Sequence, residues 1–549
     1  MKFIRFFFAV AWSAMFIPAG FLGAADGPPV KVIITTDLHG YLAYDPERGR
    51  PGLARLKAYA DTLSAEGYLT YLMDCGDAVS GGAYAQADRG RLTAELMGLA
   101  GYRVLTPGNH EFDHNEAENN FLYYSDVLLP LMRRADGRLE VSAVNLSRNN
   151  ENLPGVTRSP VVVHDETIEN PEGLRLIAVG VTHPYTARPT LAPSIPGYDF
   201  GLKNDRAGTL DFILSRLNSG LAEYRRDNDV VIVLSHLGEE DVRNPARVAG
   251  PELAAADRVD FIADGHSHRA VAPLAVGKAF YGNGGCYLEN FLEITVTRDQ
   301  RRMQLKNFSD LAELAPDPVI EDRLARFERE QGFGEVILNL PDKAFNSHDF
   351  KRGSVPLGRL ITRSMARAAG AEVALHNSGA IRAGLPEGPV TVGRMYDVLP
   401  FANNLLSYRL TGREIEALFQ GYLKDGPGRV QFHGVKVIAY PRPDGILSLA
   451  GIQAGDGGRL EPDRVYTVAV NGFLNKGRGG FSFQGRESRD LGDLAGAVIK
   501  ELRQLDPSGP DLEELAETNL VIHGSRAEAE EHWKLLTEKG GSDEPSPTR

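Results

Sequence analysis

The sequence has few cysteines. Cys75 and Cys286 are the only two among its 549 residues, which excludes a scaffold held together by many disulfides. Each lies within or beside an apolar segment, where a free cysteine packs as a small apolar side chain. Export would permit a disulfide between them, but the sequence does not fix the distance between their Cα atoms. We therefore expect two buried free thiols.

The sequence also lacks an excess of basic residues. It has 60 Lys and Arg against 73 Asp and Glu, a formal net charge of −13. A protein that binds a nucleic-acid polymer normally carries a basic stripe, and none stands out, so we expect no nucleic-acid polymer as a partner. An acidic surface does not exclude a small anionic substrate, because bound cations and local arginines can reverse the field inside one cleft.

Beyond its N-terminus the sequence has no apolar run long enough to cross a membrane. Lys2 and Arg5 precede an apolar run from Phe6 to Leu22, and Gly23-Ala24-Ala25 supplies small residues suited to signal peptidase. We expect residues 1–25 to be a signal peptide, and the mature protein to be periplasmic or secreted without stable membrane insertion. An uncleaved membrane anchor is the alternative, since the run is nearly long enough to span a bilayer.

Residues 31–300 alternate short apolar strands with amphipathic helices, and we assign residues 26–310 to a first domain. The alternation predicts an α/β fold, and continuous apolar strands indicate layered sheets that are covered on both faces. The predicted strands are Val30–Thr36, Leu69–Met73, Leu174–Val181, Val230–Leu234 and Val259–Ala263, and the clearest helices are Gly52–Ser64 and Leu210–Arg225.

The pattern changes near residue 311. Ile320, Leu324 and Phe327 share one helical face and the opposite face is charged, which predicts an exposed connecting helix within residues 311–339. A second domain follows over residues 340–525, where Thr411 and Glu414 have the spacing of a helix-capping box. Residues 526–549 are polar, and we expect them to form a frayed tail.

Five short segments that follow apolar runs end on residue types that bind metals. They are Asp37-Leu38-His39-Gly40, Gly76-Asp77, Gly108-Asn109-His110-Glu111-Phe112-Asp113, Ser235-His236 and Gly265-His266-Ser267-His268. Each of the shorter segments, taken alone, is more often an ordinary turn or a core histidine. Carboxylate, imidazole and amide oxygen together suit Zn, Mn or Fe, and a carboxylate can bridge two ions. The five segments together predict a pair of divalent ions that activate water against a phosphoryl group.

In these segments the chain resembles the calcineurin-like metallophosphoesterases. Within them it is similar to the exported 5′-nucleotidase family, which includes UDP-sugar hydrolases and 2′,3′-cyclic-nucleotide phosphodiesterases. The resemblance covers nearly all of residues 30–525. It implies a four-layer α/β/β/α metallophosphoesterase domain, a linker helix and a C-terminal α+β substrate-binding domain.

Carried over by motif, the resemblance implies two divalent metal ions (Zn, Mn or Fe) bridged by Asp77. The implied ligands are Asp37, His39, Asp77 and His268 for one ion, and Asp77, Asn109, His236 and His266 for the other. A hydroxide bridging the ions would attack phosphorus, and His110, oriented by Asp113, would stabilise the developing charge or protonate the leaving oxygen.

Three segments of the second domain resemble the family's substrate-binding surface. In the segment His376–Arg382, Asn377 and Arg382 would face the phosphate, because the guanidinium fork matches its oxygens. Phe401 and Phe473 would hold a nucleobase between two rings. Both phenylalanines could instead be ordinary core side chains.

The glycine-rich segment Gly477–Phe481 departs from the family pattern. Gly479 stands where the family has an aspartate that contacts ribose, and this change should weaken selection of ribose. Arg352 is a further candidate for contact with phosphate.

The sequence therefore predicts an exported metal-dependent phosphoric ester hydrolase that acts on small phosphate esters, with nucleotides as the leading class. Other activities remain open on the same scaffold: a cyclic phosphodiesterase, a sugar-phosphate phosphatase or a sulfur-ester hydrolase. A non-catalytic nucleotide-binding protein is the alternative of a different class, and the full set of candidate ligands argues against it.

Overall fold

The computed structural model describes residues 28–539 apart from several internal segments. Those segments are 114–122, 134–136, 167–172, 188–197, 225, 227–228, 240–246, 298, 347–349, 351–353, 402, 427, 456, 476–482, 484–485, 507, 510–511, 513 and 516–517. The predicted signal peptide, Arg352 and the segment Gly477–Phe481 therefore lie outside the described residues.

The first domain is built from strands that alternate with helices. Its strands are β1 (Val30–Thr35), β2 (Leu69–Asp74), β3 (Tyr102–Leu105), β4 (Glu140–Ser142), β5 (Ser147–Arg148), β6 (Val156–Thr157), β7 (Val161–Asp165), β8 (Arg175–Val181), β9 (Tyr198–Asp199), β10 (Asp229–Ser235), β11 (Phe261–Asp264), β12 (Ala270–Val276), β13 (Ala279–Gly284), β14 (Asn290–Val296) and β15 (Arg301–Asn307). Its helices are α1 (Leu53–Ala65), α2 (Ala83–Asp88), α3 (Arg91–Ala100), α4 (Leu129–Met132), α5 (Arg206–Tyr224) and α6 (Phe308–Leu311).

Two large mixed sheets form the centre of this domain. One has the strand order β15-β14-β1-β2-β3-β4-β6 and the other the order β12-β13-β11-β10-β8-β7. Strands β1 to β4 are parallel to one another, as are β8, β10 and β11. The five predicted metal-binding segments follow β1, β2, β3, β10 and β11, so all of them leave the carboxyl ends of parallel strands, where α/β sheets commonly bind ligands.

The two sheets pack face to face and helices cover their outer faces. Ile34 of the first sheet and Ile232 of the second belong to one apolar cluster between the sheets. The outer face of the second sheet packs against α5 through Ile213, and Leu56 of α1 belongs to the cluster outside the first sheet. The α/β/β/α layering predicted from the sequence is therefore confirmed.

The most apolar predicted strands are the most deeply buried. Every residue of β8 and of β10 is buried, as expected for strands covered on both faces. The predicted helix at 52–64 corresponds to α1, and the one at 210–225 corresponds to α5, which begins four residues earlier. Cys75 and Cys286 are buried and free.

The linker helix α7 (Pro318–Gln331) connects the domains. Asp317 caps its N-terminus by accepting hydrogen bonds from the backbone N–H groups of Val319 and Ile320 at 3.0 and 2.9 Å. The predicted apolar face is buried, since Ile320 and Phe327 are at most 3% exposed. One face of α7 is thus part of the protein core.

The second domain combines a five-stranded sheet with smaller sheets and helices. Its strands are β16 (Val336–Leu340), β17 (Val373–Asn377), β18 (Gly388–Thr391), β19 (Asn404–Thr411), β20 (Val430–His433), β21 (Val435–Pro441), β22 (Leu447–Ala454), β23 (Val465–Asn471), β24 (Arg489–Asp493) and β25 (Leu520–Ile522). Its helices are α8 (Pro356–Ala369), α9 (Val392–Val398), α10 (Gly412–Asp425), α11 (Gly472–Asn475), α12 (Leu494–Leu502) and α13 (Arg526–Lys539). The larger sheet has the order β20-β17-β23-β19-β24. The predicted capping box opens α10, where Glu414 accepts a hydrogen bond from the Thr411 backbone at 2.7 Å.

The expectation of a frayed tail from residue 526 is wrong for residues 526–539, which form α13. Ala529 is fully buried, and the ring of Trp533 packs so closely over Gly451 that a Cβ there would lie 2.3 Å from it. A hydrogen bond between His523 and His532 at 2.8 Å also ties this helix to the rest of the domain. No helix in the described part of the chain combines the length and apolar character needed to cross a membrane.

The two domains share one apolar cluster through the linker. The Phe333 ring lies 5.4 Å from that of Tyr84 in the first domain and 5.8 Å from that of Tyr396 in the second. Gln86 of α2 also donates a hydrogen bond to Asp493 across the domain boundary, at 3.4 Å. The cluster therefore continues from the outer helices of the first domain into the second.

Candidate metal centre and interdomain cleft

The loops that follow β1 and β2 lie side by side and are joined by backbone hydrogen bonds. The N–H of Asp37 donates to the carbonyl of Gly76 and the N–H of His39 donates to the carbonyl of Asp77, each at 2.9 Å. Parallel pairing of the strands thus continues into the loops and brings two of the predicted metal-binding segments together.

Six of the predicted ligands form two compact donor groups. The groups are Asp37, His39 and His268, and Asp77, His236 and His266, and within each group the ligand atoms lie within 4.8 Å of one another. Asp77 lies between the groups, because its Oδ2 is 2.9 Å from Nε2 of His236 and 3.9 Å from Nε2 of His39. The seventh predicted ligand, Asn109, has its Oδ1 2.9 Å from Nδ1 of His266.

Backbone carbonyls fix the orientation of two of the histidines. Nδ1 of His39 lies 2.6 Å from the carbonyl oxygen of Ser80, and Nδ1 of His236 lies 2.7 Å from that of Cys75. A carbonyl only accepts, so each Nδ1 carries the hydrogen and each Nε2 faces the other donors. Histidines that bind metals are held in this way by the groups behind them.

Two buried atoms at this centre lack a hydrogen-bond partner among the described residues. They are Oδ1 of Asp37 and Nε2 of His236, although each lies near a group of opposite charge, at 3.3 Å from Nε2 of His268 and at 2.9 Å from Oδ2 of Asp77. A buried polar atom without a partner is costly. A bound cation would satisfy both atoms, so the residues present fit a divalent metal pair.

Burial and neighbouring charge set the protonation of the donors. Burial lowers the pKa of His39 to about 4, and burial together with His236 lowers that of His266 to about 3, so both rings are neutral at pH 7. Burial also opposes protonation of His236, but Asp77 and Asp37 outweigh it and raise its pKa to about 10. Metal binding at His236 would therefore release a proton.

Five of the candidate ligands have left-handed backbone conformations. They are Asp37, His39, Asp77, His266 and His268, with φ between 47° and 71°. Such a conformation is uncommon for residues other than glycine and costs on the order of 1 kcal/mol. It occurs here where each loop turns sharply after its strand, and it turns the side chains toward one point.

A buried carboxylate that the sequence analysis did not assign a role holds two of these loops together. Glu111 is 4% exposed and accepts hydrogen bonds from the backbone N–H groups of Asp77 and Ala78, both at 2.8 Å, and of Gly108 at 2.6 Å. Burial, and then the charge of Asp77, raises its pKa. The only signal in the sequence was its place inside the Gly108–Asp113 segment.

A second unassigned carboxylate, Asp264, supports the loop that carries His236. It accepts hydrogen bonds from the N–H of Leu237 at 3.0 Å, the N–H of Gly238 at 3.2 Å and the hydroxyl of Tyr281 at 2.9 Å. Loops from both sheets are therefore held from behind by buried acidic side chains.

His110 and Asp113 form the predicted pair beside the donor groups. Nδ1 of His110 hydrogen-bonds to Oδ2 of Asp113, which also accepts a hydrogen bond from Ser80 at 3.1 Å. The ring of His110 lies 5.1 Å from that of His39. Burial disfavours its protonation, but Asp113 and Asp77 outweigh this and raise its pKa to about 10.

The candidate substrate residues lie at one end of the larger sheet of the second domain. Oδ1 of Asn377, at the end of β17, accepts a hydrogen bond from Asn471 at the end of β23, at 2.5 Å. The guanidinium carbon of Arg382 is 5.3 Å from the centre of the Phe401 ring. Phe473 packs half-buried against the core of that domain.

A cleft of about 250 Å³ lies between the domains beside the metal centre. Its walls include Tyr41, Arg48, Arg50, His268 and Tyr287 from the first domain and Arg382 and Asp397 from the second. Arg382 is thus the candidate substrate residue that shares this cleft with a predicted metal ligand. Asn377, Phe401 and Phe473 are not among its lining residues.

Family models match both halves of the chain. The model of the calcineurin-like phosphoesterases matches residues 30–270, and that of the 5′-nucleotidase C-terminal domain matches residues 336–486. The chain belongs to the calcineurin-like phosphoesterases that carry a 5′-nucleotidase C-terminal domain. Phosphoesterases of this family use two divalent metal ions, and the two donor groups fit that requirement.

The relatives that the comparison found are distant in sequence. Endonuclease YhcR of Bacillus subtilis is 24% identical over 509 residues, which cover 86% of this chain but 39% of that protein. The probable 5′-nucleotidase of Treponema pallidum is 24% identical over 580 residues, covering 86% of this chain and 91% of the relative. The crystal structure of a 5′-nucleotidase precursor from Thermus thermophilus superposes with a TM-score of 0.62 at 23% identity, covering 90% of this chain and all of that one. The chain therefore shares the fold of that structure, and it spans well under half the length of YhcR.

Proposed function

We propose that the protein is an exported two-metal phosphoesterase that hydrolyses small phosphate esters, with nucleotides as the leading substrate class. The observation that carries the proposal is the meeting of two donor groups, from four separate loops, around Asp77. The family of the two matched domains supports the reaction class.

The proposed ligands are those that the sequence predicts, with Asp77 between the two ions. Asp37, His39 and His268 would hold one ion, and Asn109, His236 and His266 the other. When bound, two divalent cations polarise a phosphoryl group and lower the pKa of water.

The remaining residues position the substrate and move a proton. His110, whose pKa is raised to about 10, is protonated at neutral pH and can donate to the leaving oxygen. The hydrogen bond from Nδ1 of His110 to Asp113 fixes the ring and leaves Nε2 for the substrate. Arg382, which lines the cleft beside His268, would hold the phosphate oxygens.

A substrate panel tests the proposal. The protein loaded with Mn or Zn should hydrolyse at least one of AMP, UDP-glucose, 2′,3′-cyclic AMP and p-nitrophenyl phosphate. Asp77→Asn should abolish that activity while the far-UV circular dichroism spectrum stays unchanged. Asp61→Asn removes a carboxylate whose side chain is 58% exposed on α1 and should retain the activity. A metal-loaded protein inert on the whole panel would instead indicate a binding protein.

Export rests on the predicted signal peptide. N-terminal sequencing of protein purified from the periplasm or medium of an expressing bacterium should begin at Asp26. Retention in the membrane with Met1 or Lys2 at the N-terminus would indicate the uncleaved anchor instead.

A further inference from the structure

The loop that follows β2 wraps around the candidate metal ligand His39. The N–H of Gly82 donates to the carbonyl of His39 at 2.5 Å, and the carbonyl of Ser80 accepts from Nδ1 of the same histidine at 2.6 Å. Gly81, between them, has a φ of 127°, and a Cβ there would lie 2.8 Å from the Cβ of His39. The close wrap therefore requires glycine at position 81, and it places Ser80 directly beside His39.

Ser80 has a second contact, through its side chain. The residue is 1% exposed, and its Oγ donates a hydrogen bond to Oδ2 of Asp113 at 3.1 Å. An ionised carboxylate only accepts hydrogen bonds, so the hydroxyl is the donor. The main chain of Ser80 thus holds a candidate metal ligand, and its side chain holds the partner of His110.

The same oxygen of Asp113 serves two donors. Oδ2 also accepts the hydrogen bond from Nδ1 of His110. The side chains of His110 and Asp113 are 29% and 25% exposed, so water competes for the carboxylate. The hydroxyl of Ser80 opposes that competition, because it comes from a loop already anchored at the metal centre. Removing the hydroxyl lets Asp113 turn toward water, and the ring of His110 then loses its fixed orientation.

We propose that Ser80 is a positioning residue for proton transfer, which acts through Asp113 to hold Nε2 of His110 toward the leaving oxygen. The inference rests on the proposed function and adds a residue to the same site. Hydrolysis forms a bond from a water oxygen to phosphorus and breaks the bond to the leaving oxygen, which keeps the electron pair and takes a proton from Nε2 of His110. A misplaced ring slows this transfer most when the leaving oxygen is strongly basic.

Substrates whose leaving oxygens differ in basicity test this role on the Mn-loaded protein. Phenol, like the side chain of tyrosine, has a pKa of about 10, whereas p-nitrophenolate is a much weaker base and leaves without a proton. Ser80→Ala should lower kcat on phenyl phosphate about tenfold, the effect of one lost hydrogen bond to a charged group, and kcat on p-nitrophenyl phosphate less than about twofold. AMP, whose leaving ribose oxygen is more basic still, should follow phenyl phosphate.

Mn binding and a double-mutant cycle separate positioning from a general structural effect. Isothermal titration should show unchanged Mn affinity in Ser80→Ala, because the backbone carbonyl that holds His39 is kept. In an Asp113→Ala background, Ser80→Ala should cause no further loss of kcat, since its effect passes through Asp113. The matched control is Ser64→Ala, which removes a hydroxyl that donates to the carbonyl of Ala60 within α1 at 3.0 Å. It should keep the wild-type kcat on all three substrates.

Three outcomes would overturn the inference: an equal loss of kcat on phenyl phosphate and p-nitrophenyl phosphate, a full additional loss when Ser80→Ala is combined with Asp113→Ala, or weaker Mn binding by Ser80→Ala. A wild type inert on every phosphoester tested would refute the proposed function and this role with it. An active wild type whose Ser80→Ala variant is equally active would refute the role of Ser80 alone.

Discussion

Replacing Glu111 by alanine should loosen the metal centre from behind. Glu111 accepts short backbone hydrogen bonds from Asp77, Ala78 and Gly108 and a longer one from Val79 at 3.5 Å, and it is almost fully buried. Each buried N–H left without an acceptor costs about 1–3 kcal/mol. Allowing for partial relaxation, we expect Glu111→Ala to lower the free energy of unfolding by about 4 kcal/mol.

The loss of stability in Glu111→Ala should be localised to the loops whose hydrogen bonds are removed. Urea denaturation of the metal-free protein gives the change in stability. In the variant, the backbone amides of Asp77, Ala78 and Gly108, which donate to Glu111 in the wild type, should exchange hydrogen faster. Isothermal titration with Mn should show weaker binding, because the amides belong to loops that carry Asp77 and Asn109. Glu95→Ala is the control, since Glu95 is 31% exposed and pairs with Arg323 at 3.0 Å, and it should cost less than about 1 kcal/mol. A Glu111→Ala variant within about 1 kcal/mol of the wild type, with unchanged affinity for Mn, would refute this account.

Three further predictions follow from the structure. Removing metal with EDTA should lower the melting temperature, and adding Mn should restore it. Each ion at a hundredfold excess over its dissociation constant stabilises the fold by about 2.7 kcal/mol. An unchanged melting temperature would argue against a bound metal. Burial lowers the pKa of His376 from its ordinary 6.5 to about 4. Between these pH values the unfolded chain takes up a proton that the folded protein does not, so the free energy of unfolding falls by up to about 3 kcal/mol as the pH drops. Urea denaturation should show a weaker pH dependence of stability for His376→Gln, and an identical pH dependence would contradict the lowered pKa. Gly180→Ala should cost about 3 kcal/mol or prevent folding, because its Cβ would lie 1.8 Å from the carbonyl oxygen of Ser142, whereas Gly334→Ala, whose Cβ would have no neighbour within 4 Å, should melt like the wild type.

The sequence was most informative where local pattern and chemistry coincide. Apolar runs predicted the buried strands, and the metal-binding residue types that follow these runs predicted a shared metal site. His39 and Asp77 were predicted to share a site for this reason, and their side chains lie 3.9 Å apart.

The supporting roles of Glu111 and Asp264 could not be predicted from the sequence, because they depend on backbone groups that the fold brings together. Glu111 and Asp264 look like ordinary acidic residues at strand ends, because their partners are N–H groups brought in from elsewhere in the chain. The docking of α13 could not be predicted from its polar composition, because the contacts of Ala529 and Trp533 are with parts of the domain that are distant in sequence. The position of Arg48 in a cleft could not be predicted either, because residues of the second domain form the opposite wall.

The left-handed turns at five of the candidate ligands bear on ion exchange. Because hydrogen bonds to the neighbouring loop already fix the backbone at Asp37 and His39, we expect little backbone rearrangement when an ion binds. Swapping one divalent ion for another should then alter catalytic rate and affinity while the surrounding chain keeps its shape. A crystal soaked successively in Zn and Mn would therefore remain isomorphous.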